Sequence, residues 1–327
     1  MSLRNHCRPF VALSLAAAAL PAQAATRAGE RAIPVLDSAR LMSDLSALSA
    51  DSMEGRRFGT PGGARARAYL LRAFARIGLQ PPPGGFSLPF SAQSRTGADI
   101  GGVNLVGVVR GTVHADRYIV VSAHYDHLGL RNGELFNGAD DNASGTAALL
   151  AIAAWTVAHP PQNSMLFAWF DGEESGLLGA KAFLRHPPVP LDRIVADVNL
   201  DMVGRSAAGE LFAAGATPWP IMRPLLEGVA DSALVKLRLG HDSGGGQDNW
   251  TNQSDHGVFH EHGIPFVYFG VEDHPDYHRA TDRVERIPPS FYYRSARTIA
   301  DFARRLDQSA EPVARARAAG APGPSRR

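Results

Sequence analysis

Residues 117–127 read "RYIVVSAHYDH". The run "YIVVSA" is apolar without the alternation of a half-exposed strand, so it predicts a strand covered on both faces. It leads directly into His124-Tyr125-Asp126, which places ionisable side chains at the carboxyl end of that strand. A strand of this kind belongs to a sheet with helices on both sides, and the flanking sequence agrees. "GVNLVGVVRG" (102–111), "SMLFAWF" (164–170), "IVADVNLDM" (194–202), "ELFAAGA" (210–216) and "IPFVYFGV" (264–271) are further strand candidates. Between and around them lie helical stretches. Asp37 is placed to cap "SARLMSDLSALSA". "GGARARAYLLRAFARIGL" repeats apolar residues at helical spacing and stops at Gly78 ahead of three prolines. "ASGTAALLAIAAWTVAHPP" reads as a buried helix, "GLLGAKAFLRH" as a shorter one, and Pro288-Pro289 open a last helix through about Leu306. The alternation predicts an α/β fold in a single domain: a mixed, mostly parallel β-sheet sandwiched by helices.

The ionisable residues gather on one edge of that scheme. His124 and Asp126 follow one strand, Glu173 and Glu174 follow "SMLFAWF", Asp201 ends "VADVNL", and His278 in "DHPDYHRATD" follows "PFVYFGV" by a short loop. Asp140 and Asp141, in "NGADDNASG", precede a helix. In an open α/β sheet, ligands bind at the carboxyl ends of the strands. Glu173-Glu174 is the telling pair, because two adjacent carboxylates beside a buried strand are costly unless something neutralises them. Zinc takes imidazole nitrogen and carboxylate oxygen. Two zinc ions, with a carboxylate spanning them, would use two His and three acidic residues and leave one Glu free as a general base.

Composition sets the outer limits. The chain has 327 residues and a formal charge of +1, but setting aside Arg4 and Arg8, then Glu311, Arg315, Arg317, Arg326 and Arg327, leaves residues 25–307 at −4. A mildly acidic body without a basic stripe argues against nucleic-acid binding as its purpose. Residues 1–24 combine a basic start, an apolar stretch and "AQA", the pattern of a cleavable signal peptide, so an exported protein is expected, periplasmic or secreted. No later stretch is apolar enough for a membrane span. The single cysteine, Cys7, lies in the leader, so a strong metal site in the remaining chain must use His and carboxylates. Residues 308–327, rich in Ala, Pro, Gly and Arg, read as a disordered tail after a 25–307 domain.

The motifs "AHYDH", "GADDNASG", "DGEES", "NLDM" and "YHRATD" resemble the five motifs of the co-catalytic di-zinc aminopeptidases. That family includes secreted bacterial leucine-type aminopeptidases, with carboxypeptidases and glutaminyl cyclases as relatives. Residues 54–79 resemble its N-terminal segment, and the likeness runs from about Asp51 to Asp301. The resemblance implies two Zn²⁺ per chain, peptide substrates and hydrolysis at the N-terminus. It assigns Asp140 as the bridging carboxylate, His124 and Asp201 to one metal, and Glu174 and His278 to the other. It makes Asp126 the group that orients His124, gives Asp141 a positional role beside an unusual peptide, and leaves Glu173 to take the proton of the attacking water. A single-zinc cyclase and a dipeptidase or carboxypeptidase are the alternatives on the same scaffold. One departure stands out: relatives carry a tyrosine three residues before a Ser-Asp-His triplet, and here Thr251 precedes Ser254-Asp255-His256. His241, His256, His260, His262 and His274 receive no role.

Overall fold

The computed structural model describes residues 34–93, 99–243 and 248–320. The expected leader, 1–24, lies outside the described residues. Helix α1 (Ser38–Leu48) begins where Asp37 accepts the Arg40 N–H at 2.9 Å, a cap worth about 1 kcal/mol. Helix α2 (Pro61–Ile77) has Pro61 in its first turn and ends as Gly78 turns left-handed at φ 76°. Both bury one apolar face, Leu41, Leu45 and Leu48 from α1, Leu70 and Phe74 from α2.

Strands β1 (Ser87–Gln93), β2 (Asp99–Val109), β3 (His114–His124), β4 (Gly129–Arg131) and β5 (Glu134–Phe136) follow. Helix α3 (Gly145–Ala158) leads to β6 (Asn163–Phe170), α4 (Leu178–Arg185), β7 (Ile194–Leu200) and β8 (Glu210–Ala214). The rest comprises α5 (Arg223–Ala230), β9 (Lys236–Leu239), α6 (His256–Glu261), β10 (Phe266–Gly270), α7 (Pro289–Gln308) and α8 (Ala310–Ala318). Strands β4 and β5 form a small hairpin; the others make one eight-stranded sheet in the order β1-β2-β6-β3-β7-β10-β8-β9. Its centre, β6-β3-β7-β10, is parallel, with antiparallel β2 and β8 beside it. Every residue of β6, β7 and β10 is buried, as unbroken apolar strands require when helices cover both faces. A larger core packs α1, α2, α3, α5 and α7 on one face. A smaller one, with Phe170, Phe183 and Phe259, lies under α4 and α6 on the other.

The tail expectation needs correcting. Residues 310–318 form α8, which buries Ala310 and Val313, and Arg317 donates to the carbonyls of Leu191 and Ile194. Alternating alanine and arginine hid this helix, because it is held by packing and these bonds rather than by a long apolar stripe. Residues 321–327 lie outside the described ones.

Candidate metal centre and active site

The four central parallel strands all point one way, and each delivers a candidate residue at its carboxyl end. His124 is the last residue of β3, Asp201 follows β7, Glu173 and Glu174 lie three and four residues beyond β6, and His278 stands on the loop after β10. The turn after β6 resolves how adjacent glutamates serve one site. Gly172 takes φ 75°, which suits a residue without a Cβ, and a short 3-10 turn over Glu173–Ser175 follows. Both carboxylates therefore line the same cleft of about 370 Å³, with Asp141, Asp201, Trp250, Tyr268, Tyr277 and His278.

His124 Nδ1 faces the Asp126 carbonyl oxygen at 3.1 Å, and the Asp126 carboxylate lies 3.7 Å from the same nitrogen. That leaves Nε2 facing inward, 3.2 Å from Asp201 Oδ1 and 3.5 Å from Asp141 Oδ1. On the other side, His278 Nε2 lies 3.0 Å from Asp141 Oδ2 and 3.3 Å from Glu174 Oε2. Donors at about 2.0 Å from a tetrahedral centre stand about 3.3 Å from one another, so these separations match the edges of two zinc polyhedra. Asp141 presents one oxygen to each, and two groups of ligand atoms, His124-Asp141-Asp201 and His127-Asp141-Glu174, converge on it. Asp141, Glu173, Glu174 and Asp201 crowd together with the imidazoles of His124, His127 and His278, a donor set suited to cations.

Asp140, expected as the bridge, is turned away. Its Oδ1 accepts the Gly204 N–H at 2.7 Å, Oδ2 faces His274 Nε2 at 3.0 Å, and its own N–H donates to Asp282. The neighbouring Asp141 enters the cluster instead, across the cis Asp141–Asn142 peptide. Two consecutive aspartates in a non-repeating turn give no periodicity from which to choose the inward one, and the fold turns Asp141 inward where Asp140 was expected.

Glu173 fits the role of a base. Its N–H donates to Asp126 Oδ1 at 3.0 Å, and its carboxylate reaches within 4.0 Å of His124 Nε2. Burial pushes its pKa well above the ordinary range, with Asp201, Asp255 and Glu174 adding to the shift and His124 opposing it. Glu174 goes the other way: burial opposes ionisation, but His127 and His278 hold its carboxyl well below the usual range. Thr251 does not line the cleft; Trp250, Asn252 and Gln253 do. His241 stacks on Trp250 with ring centroids 3.6 Å apart, and His274 holds Asp140, so two of the unassigned histidines are supports for this wall and this loop.

Sequence reasoning missed Arg56. It is fully buried and donates from Nε to Tyr125 O, from Nη1 to Leu48 O and Asn137 O, and from Nη2 to Gly138 O, at 2.7–2.8 Å. Burial lowers its pKa to about 10, against the pull of Asp141 and Asp282. The guanidinium thus ties together the loops that carry Asp126 and Asp141. In "EGRRFG" nothing separates it from the adjacent Arg57, and only the fold does. Replacing Arg56 by Met should destabilise the protein by about 3 kcal/mol or more, since the buried carbonyls lose their donors. Denaturant unfolding of the two proteins measures this, and a change below about 1 kcal/mol would show the bonds to be weak.

The fold is that of known zinc exopeptidases. A zinc aminopeptidase from Bacillus subtilis, BSAP, superposes with a TM-score of 0.67 over 84% of this chain and 96% of that one, at 18% identity. The chain belongs to peptidase family M28, whose model matches residues 104–303. It is 30% identical over 200 residues to aminopeptidase YwaD of Bacillus subtilis, covering 56% of this chain and 40% of that protein. It is 31% identical over 199 residues to a probable glutamate carboxypeptidase, AMP1, of Arabidopsis thaliana, covering 55% and 26%. The chain spans about 25 to 55% of the length of the first curated relatives it matches. No helix among the described residues is long and apolar enough to cross a membrane.

Proposed function

We propose that the protein is an exported zinc-dependent metallo-exopeptidase that removes N-terminal residues from peptides. The observation that carries this reading is Asp141, whose two oxygens face two separate His-carboxylate groups beside an uncommitted Glu173. His124, Asp141 and Asp201 would hold one Zn²⁺, and Asp141, Glu174 and His278 the other. Bound there, two zinc ions would supply Lewis acidity, making a water acidic enough to attack at neutral pH and polarising the scissile carbonyl. Asp126 holds the Glu173 backbone and faces His124, fixing base and ligand relative to each other. Glu173 Oε accepts the proton of the attacking water and returns it to the leaving amine nitrogen. The aromatic wall of Trp250, Tyr268 and Tyr277 excludes water around the departing residue.

The test is a panel of short peptides incubated with the zinc-loaded protein and read by mass spectrometry. Loss of the N-terminal residue from free peptides, and none from their N-acetylated forms, is expected. Release of C-terminal residues from the acetylated peptides would favour the carboxypeptidase alternative, and pyroglutamyl products from N-terminal glutamine the cyclase.

A further inference from the structure

His127 has no part in the reading above, yet it lies against the proposed second metal site. Strands β3 and β6 run parallel with His124 opposite Phe170, so the chain leaves both strands side by side. Asp126 then meets Glu173, whose N–H it accepts at 3.0 Å, and the next residue along each strand end forms a second pair. In that pair His127 Nδ1 stands 2.7 Å from Glu174 Oε1 and 3.6 Å from Asp141 Oδ2. The N–H direction of Nδ1 is not in line with Oε1, so this is a close polar contact, and Nδ1, Nε2 and Oε1 have no other hydrogen-bond partner. The imidazole is completely buried and cannot swing out. Gly138 lies flat against it at φ 57°, where a Cβ would come within 2.4 Å of the ring.

From this geometry we infer that His127 is a positioning residue for the second metal site, its Nδ1 edge backing Glu174 Oε1 at close range so that Oε2 alone faces His278 and the metal. The inference rests on the two-metal reading. Glu174 has one oxygen on each side: Oε1 toward sealed His127, Oε2 toward His278, whose side chain is 40% exposed and lines the cleft. A catalytic metal keeps its open position toward substrate, so the ligand on the cleft side is His278 and the sealed ring lies behind the carboxylate. Without the inner partner, Glu174 is free to rotate, and the second site loses the fixed carboxylate that sets its affinity.

Zinc binding at equilibrium, in buffers of defined free Zn²⁺ with metal counted by elemental analysis, separates the possibilities for the wild-type chain, His127→Leu and His127→Asn. Wild type is expected to fill two sites. His127→Leu should keep the first at wild-type affinity and weaken the second by about 10- to 100-fold, the usual cost of losing such a partner. His127→Asn, which can place an amide N–H near the position of Nδ1, should recover most of that loss. Equal weakening in both variants would identify the imidazole as a metal ligand and overturn the inference. Unchanged affinity in both, or parallel weakening of both sites, would overturn it too, marking the contact as idle or the effect as a general folding defect. A wild-type chain that binds fewer than two zinc ions would refute the two-metal reading itself, a result distinct from any difference among the variants.

Discussion

Glu173→Gln is expected to lower kcat for peptide hydrolysis by about 10³-fold while the protein keeps its zinc. The substitution preserves size and the backbone bond to Asp126, but an amide takes no proton from water. General acid–base groups contribute about 10²- to 10⁴-fold, and this one serves both the attack and the departure of the amine, which places the effect in the upper part of that range. KM should change little, since Glu173 is not proposed to hold the substrate in the ground state. Steady-state kinetics with elemental analysis of the same preparation gives both quantities. A variant that turned over within tenfold of wild type would remove Glu173 from the chemistry. One that lost zinc in proportion to activity would make it a ligand.

The second large effect separates two neighbouring aspartates. Asp141→Ala deletes an oxygen from each of two ligand groups at once, because Oδ1 faces His124 and Oδ2 faces His278. Both zinc affinities should fall, and activity should drop by at least 10³-fold, with two metals losing a ligand and the attacking water its shared position. Asp140→Ala should act differently. It frees the Gly204 N–H and the His274 ring, so the expected cost is about 1–3 kcal/mol of stability, with two zinc ions retained. Chemical denaturation and zinc content of the two variants decide the matter. If Asp140→Ala instead strips the metal and Asp141→Ala does not, the bridge is Asp140.

The fold was legible because its central strands carry long buried apolar runs, residues 119–123 of β3 and most of β6, β7 and β10, which announced both the strands and the helices needed to cover them. Once those strands were placed, His124, Glu173, Glu174, Asp201 and His278 fell at one sheet edge from order alone, and the structure brings all five together around one cleft or its wall. What stayed hidden depends on rotation within irregular turns. Asp140 and Asp141 are exchanged by the geometry of a single turn, which no residue pattern encodes. Arg56 and His127 work through contacts with loops far away in sequence, Arg56 reaching Gly138 and His127 reaching Glu174. Short edge strands such as β9 escaped because four residues, two of them charged, carry too little pattern. The helix α8 escaped for the reason given by its composition: tertiary contacts order it, and local propensity does not advertise them.

Zinc-edge anomalous scattering from crystals of the zinc-loaded protein tests the central claim most directly. Two peaks about 3.5–4 Å apart are expected, one between His124 and Asp201 and one between Glu174 and His278, with the Asp141 carboxylate spanning them. A single peak, or a pair spanned by Asp140 with Asp141 turned aside, would contradict it.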